Sequence, residues 1–127
     1  MQGGGIIIAV TGGRDYADYA HVEHVLNEER LFARCFPSFA VVQGECPYGG
    51  LDALAAQWCE RHGVPCLGIK APWKRFGKAA GPIRNGWMLD VLEIHKLVAF
   101  PGGVGTTNCV QQAYDREILV RDERERR

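Results

Sequence analysis

The 127 residues suit one compact domain and leave no room for a second. At 46% hydrophobic and 24% charged, the composition is that of a folded chain and excludes a disordered one. Fifteen basic residues cancel fifteen acidic ones, which argues against a general nucleic-acid binder or a membrane-surface protein, since both need a net positive field.

After a start (1–5) expected to be flexible, Ile6-Ile7-Ile8-Ala9-Val10 is a continuous, largely β-branched run, as in a strand buried on both faces. Asp18 to Arg34 places Val22, Val25, Leu26 and Phe32 on an approximately helical stripe. Phe39-Ala40-Val41-Val42 reads as a second strand. Leu51, Leu54, Ala55, Trp58 and Cys59 then follow the i, i+3, i+4, i+7, i+8 spacing of an amphipathic helix that stops near His62-Gly63. Cys66 to Ile69 is a third strand, followed by a loop with Pro72, Gly77, Gly81 and Pro82. A helix is expected from about Ile83 to Glu93, with Pro82 near its first turn. Leu97 to Phe100 is a fourth strand, Thr106 to about Arg116 a helix, and Ile118 to Val120 a short fifth strand. The charged tail 121–127 is expected to be solvated or frayed. This alternation predicts a Rossmann-like α/β sandwich over residues 6–120, its five-stranded, mostly parallel sheet covered by helices on both faces.

No apolar run approaches the ~18 residues of a membrane span, and no secretory signal is apparent. The cysteines at 35, 46, 59, 66 and 109 are odd in number and lack a CxxC pair, so reduced thiols in a cytoplasmic protein are expected rather than a disulfide framework or zinc knuckle. His21 and His24, three apart on the first helix with Glu28 nearby, have a spacing that can ligate a metal but equally fit a solvated helix face, and no metal is expected.

Sixteen glycines are nearly twice the usual share of about 7%. They concentrate in three strand-to-helix turns: Thr11-Gly12-Gly13-Arg14, Gly44 to Gly50, and Pro101-Gly102-Gly103-Val104-Gly105-Thr106. In a parallel sheet these turns emerge at one edge, where ligands bind and where helix N-termini favour phosphate. Thr106 and Thr107 are suited to capping the last helix and to donating hydroxyls to an anion. From Lys70 to Arg84 there are five basic residues and no acidic one, which places positive charge at the same edge. Arg84 and Arg14 carry guanidinium forks suited to phosphate, and Trp73 is a candidate for stacking on a base or for plugging the loop into the core. The dinucleotide fingerprint GxGxxG and the P-loop are both absent.

Four segments together, GGRDYAD (12–18), QGECPYGGLDALAAQW (43–58), APWKRFGKAAGPIRN (71–85) and FPGGVGTTNCVQQA (100–113), resemble the SLOG superfamily. The likeness is to its small single-domain members of the domain of unknown function 2493 type, related to YspA and cpYpsA. It covers about residues 6–120 and implies a Rossmannoid pocket for a nucleotide or nucleotide-derived ligand. By position it implies Gly12, Gly13 and Arg14 in the first turn, Gly50 and Asp52 in the second, and Arg84 and Asn85 from the third helix. Gly102, Gly103, Gly105, Thr106 and Thr107 would form the phosphate cradle, and Asp52 would accept ribose hydroxyls or merely favour its helix dipole. The resemblance and the modest size also make a homo-oligomer an expectation.

The enzymatic relatives implied by the resemblance, LOG-type phosphoribohydrolases, carry the pattern PGGxGTxxE, whose glutamate assists N-glycosidic cleavage. Here Cys109 occupies that position, preceded by the neutral Asn108, so the phosphate cradle is kept and the known carboxylate is lost. The leading expectation is therefore binding or sensing of a nucleotide without a required cofactor. The alternative is an N-glycosidic hydrolase or transferase that recruits Asp52 or another carboxylate, with Arg84 and a Cys109 nucleophile of lowered thiol pKa as weaker catalytic candidates.

Overall fold

The computed structural model describes residues 4–90 and 92–125. Residues 1–3 of the expected flexible start, Val91 of the expected third helix and 126–127 of the tail lie outside the described residues.

Five strands, β1 (Ile6–Thr11), β2 (Phe39–Gln43), β3 (Cys66–Gly68), β4 (Lys96–Ala99) and β5 (Leu119–Asp122), form one sheet in the order β3-β2-β1-β4-β5. All its pairings are parallel. The helices are α1 (Tyr19–Phe32), α2 (Gly50–His62), α3 (Trp73–Phe76), α4 (Ala80–Asp90) and α5 (Val104–Asp115). The chain winds outward from β1 to β3, then returns to β4 on the other side of β1. The strand order therefore reverses between β1 and β4, and the connections that leave these two strands diverge to opposite faces.

β1 shows why the central strands read as unbroken apolar runs. Ile6, Ile8 and Val10 face a core closed by Val22, Val25 and Leu26 of α1 and Leu51, Ala55 and Trp58 of α2. Ala9 faces the other core, with Met88 and Leu89 of α4 and Cys109, Val110 and Ala113 of α5. A strand buried on both faces has no polar side to alternate with. Trp58 is fully buried, and its indole N–H donates to the side chain of Asn27 at 3.0 Å, which satisfies its one polar atom.

Several boundaries depart from the expected ones, and four departures bear on the cleft or the tail. The loop after β3 contains the short helix α3. α4 starts at Ala80, ahead of the expected Ile83, which leaves Pro82 in the first turn where its missing N–H costs nothing. α5 starts at Val104, two residues before the expected Thr106. β5 extends through Asp122, so the tail begins as strand rather than as frayed chain. Side-chain pairing supplies the reason for the last. Arg121 bridges Glu28, Glu29 and Glu123, while Lys96 reaches Glu29 at 2.9 Å, so charges read as solvated form a network between β5, β4 and α1. No helix among the described residues is long and apolar enough to cross a membrane.

Glu29 is the buried member of that network, shared by Lys96 and Arg121. Glu29→Ala should lower the unfolding free energy by about 2 kcal/mol, the scale of hydrogen bonds to charged groups. Urea unfolding checks this, and an unchanged midpoint would show the network to be energetically neutral.

Candidate functional site

The two turns that leave β1 and β4 are fastened to each other. Phe100 N–H donates to Thr11 O and Gly13 N–H to Pro101 O, both at 2.8 Å. The approach is too close for side chains. A Cβ on Gly13 would stand 3.2 Å from both Gly102 Cα and Pro101 O, and one on Gly102 would meet Gly13 N at 2.7 Å and the Thr106 side chain. Gly13 O in turn accepts from Leu51 N–H at 3.0 Å, so the first turn satisfies a first-turn donor of α2. Gly50, at φ 62°, permits this, since a Cβ there would strike Gly13 O and the backbone of Arg14.

Beside these turns lies a cleft of about 570 Å³, lined from β1 by Val10 and the 11–16 turn, from the second turn by Gly44, Cys46 and Asp52, from α4 by Arg84, Asn85 and Met88, and from the last turn by residues 101–106. It sits at the carboxyl ends of β1 and β4, where the strand order reverses. Of the residues singled out in the sequence, Gly12, Gly13, Arg14, Asp52, Arg84, Asn85, Gly102, Gly103, Gly105 and Thr106 meet here. Gly50, Trp73 and Thr107 are not among the lining residues. Gly50 supports the turn from behind. Trp73 stands half-exposed on α3, with its ring against Gly81. Thr107 is exposed in the helix after the turn, and Lys70, Lys74, Arg75 and Lys78 are exposed outside the cleft, so only Arg84 of the basic stretch contributes to it.

Arg84 is held rather than loose. Its Nη1 donates to Gly44 O and its Nε to Asn85 Oδ1 at 3.1 Å. Asn85 is buried and donates through Nδ2 to Gly105 O at 3.2 Å and to Asn108 Oδ1 at 3.1 Å, which ties α4 to the start of α5. A Cβ on Gly44 would fall on the guanidinium, so a larger residue there would displace Arg84 from this position. α5 begins after Gly103 with no side chain capping it, because the earlier start of the helix moves Thr106 into the first turn, buried against Gly102. The expected capping by Thr106 and Thr107 is thus replaced by an end whose N–H groups and partial positive charge border the cleft.

Asp52 is buried at the cleft wall and accepts Cys46 N–H at 3.1 Å. Burial pushes its carboxyl above the usual aspartate range, against the opposing pull of Arg84 and of backbone donors from Cys46 and Gly44. Cys109 does not carry the lowered pKa of a nucleophile. Burial drives its thiol up to about 11, even though Thr11 and Arg84 pull the other way, so it stays protonated and packs with the α4–α5 core.

The sequence reading missed Tyr16, which lines the cleft and shares a hydrogen bond between its hydroxyl and Nδ1 of buried His21. His21 Nε2 meets Glu123 Oε1 at 3.0 Å, and Glu123 N–H donates to Ala99 O at 2.7 Å. Burial favours the neutral form of Glu123, but hydrogen bonds from His21 and Arg121 outweigh it and lower its pKa. His21 is therefore a structural link between the cleft and the residue that follows β5, while His24 pairs with Glu28 at 3.3 Å on the surface. Tyr16, two residues after the first glycine turn, was the available signal. Its partner 102 residues beyond His21 was not.

Two outcomes follow from this geometry. Gly50→Ala should cost more than about 2 kcal/mol, from positive φ and collision with fixed backbone. Gly103→Ser, with no heavy atom within 4 Å of its Cβ and φ −109°, should stay within about 0.5 kcal/mol. Denaturant midpoints compare the pair. For Asp52, a folded pKa above the unfolded value means that the native state binds the extra proton, so its ionisation costs stability as pH rises from the ordinary value of 3.8 through the folded one. Asp52→Asn should therefore be more stable than the parent at neutral pH, with the gap closing as pH falls toward 3.8. Melting temperatures across pH test the sign.

A scan against family models matches residues 6–76 to the model described as the YspA, cpYpsA-related SLOG family. That match runs from β1 to the end of α3 and includes the first two glycine turns. Comparisons with curated proteins and with solved structures found no match. The family match covers more than half of the chain, and the parallel α/β sheet is the Rossmann-like architecture that the resemblance implied: the chain belongs to the YspA, cpYpsA-related SLOG family.

Proposed function

We propose that the chain binds or senses a nucleotide or nucleotide-derived ligand in the cleft between β1 and β4. The observation that carries this reading is the convergence, at the reversal point of the sheet, of an uncapped α5 N-terminus and an arginine held in place by Gly44 O and Asn85. Family membership suggests a nucleotide-related function, and the cleft volume lies within the range of about 300–1,000 Å³ common for small-molecule sites. In this reading the phosphate rests on the first-turn N–H groups of α5 and on the guanidinium of Arg84. Arg14, stacked 5.0 Å from the centroid of the exposed Tyr48 ring, offers a second cation and an aromatic face at the rim.

A second reading, cleavage or transfer of an N-glycosidic bond, is favoured by one observation: Asp52 is a cleft carboxyl with its pKa raised by burial, the property of a general acid. Cys109 has no part in it. Asp52→Asn would then abolish release of free base from a bound nucleotide and leave affinity nearly unchanged.

Calorimetry and thermal shift against nucleoside mono-, di- and triphosphates, cyclic nucleotides, NAD and ADP-ribose test the binding reading. A ligand at 100 times its Kd should add about 2.7 kcal/mol of stability. Gly103→Asp should fold as well as the parent, because Asp is a good N-cap and the position is open, yet lose affinity by at least about tenfold as its carboxylate occupies the anion position. Arg84→Ala should lose a similar factor. Undiminished affinity in both variants would move the phosphate elsewhere.

A further inference from the structure

Outside the cleft, the seven residues 73–79, with the sequence WKRFGKA, are all exposed, and the chain is buried again only at Ala80. They make up α3 and the turn after it, and neither contributes a buried side chain. Two large rings therefore face solvent, Trp73 at 50% exposure and Phe76 at 37%. The guanidinium of Arg75 lies over the Phe76 ring, 5.1 Å from its centroid. The neutral total of the chain hides a separation of charge around this segment. Residues 61–89 hold six cations and no acidic residue, while the other nine cations share the rest of the chain with all fifteen acidic ones. Lys96, Arg116, Arg121 and Arg124 are each held by a carboxylate. Among the described residues no ion pair involves Lys70, Lys74, Arg75 or Lys78.

We propose that this segment binds single-stranded nucleic acid, with Trp73 and Phe76 stacking on unpaired bases and the four unpaired cations meeting its phosphates. Overall neutrality argues against a general polyanion binder, but a local excess of cations attracts a strand to the one face that carries it. The rings decide which polyanion fits. A duplex keeps its base faces stacked inside, whereas a single strand offers each base as a flat partner for an exposed ring. Arg75 on Phe76 sets a cation directly beside a ring, the pairing that a base and its phosphate would meet. A membrane surface carries the same negative charge, but it takes up a helix through a broad apolar face. α3 is a single turn with two rings beside two cations and has no such face. Binding here is independent of whatever occupies the cleft.

Fluorescence anisotropy of a labelled oligothymidylate of about 15 nucleotides, titrated with the full chain at several salt concentrations, tests the assignment. The oligomer should bind, with an affinity that falls as salt rises. Lys74→Ala/Arg75→Ala/Lys78→Ala should weaken binding at least about tenfold and flatten the slope of log affinity against log salt by about 2. Trp73→Ala/Phe76→Ala should also lose about tenfold but keep the slope, and Trp73→Phe, which retains an aromatic face, should keep most of the affinity. All these positions are exposed, so melting temperatures should stay close to the parent's. Arg30→Ala/Arg34→Ala, which removes exposed cations outside the segment, should bind within about twofold of the parent. A blunt duplex of equal length should bind at least about tenfold more weakly. No binding of the oligomer, equal binding of the duplex, undiminished affinity in either multiple variant of the segment, or attachment only to phosphatidylserine vesicles would overturn the proposal.

Discussion

The backbone contact between the first and last glycine turns is the constraint on which the site depends. Gly13 is bonded through its N–H to Pro101 and through its carbonyl to Leu51. One residue thus fixes the ends of β1 and β4 and the start of α2 relative to one another. Because no side chain separates these backbones, part of the cleft wall beside them is main chain, whose dipoles, in the proposed reading, need no reorganisation to meet an anion. Arg84 extends the same logic from the opposite face. Its guanidinium is aimed by Gly44 O and by Asn85, and Asn85 is itself anchored to the start of α5. Holding a long side chain before a ligand arrives removes part of the entropy cost of binding.

The fold was legible because its signals are local. Unbroken apolar strands, one clean amphipathic helix and glycines at three turns suffice to imply a parallel sheet with a ligand edge. What those glycines do was less legible. Gly50 and Gly103 look alike in sequence, yet the first lets the backbone of another turn lie against α2 and the second stands open at the cleft. The distinction depends on which distant backbone approaches, and composition carries no trace of that.

Charge was the weaker guide for a related reason. The run from Lys70 to Arg84 is continuous along the chain, but the loop after β3, α3 and the turn that follows hold its first four cations outside the cleft, and only Arg84 lines it. The tail misleads in the opposite sense. Its alternating signs resemble a solvated end, whereas Arg121 and Glu123 have partners on α1. Thr106 and Cys109 shifted role through a two-residue change in where α5 begins, since on a helix such a change turns a side chain from the end to the core.

The link from Tyr16 through His21 to Glu123 has a consequence for the order of biosynthesis. A chain emerging amino end first makes the β1 turn early, and β2 and α2 can pack on it as they appear. The brace under Tyr16 cannot form until β5 has been made, because its carboxylate is 102 positions beyond the histidine that it holds. A nascent chain halted before that point therefore carries the first cleft wall without its buttress, and its loop closes only when the final strand docks.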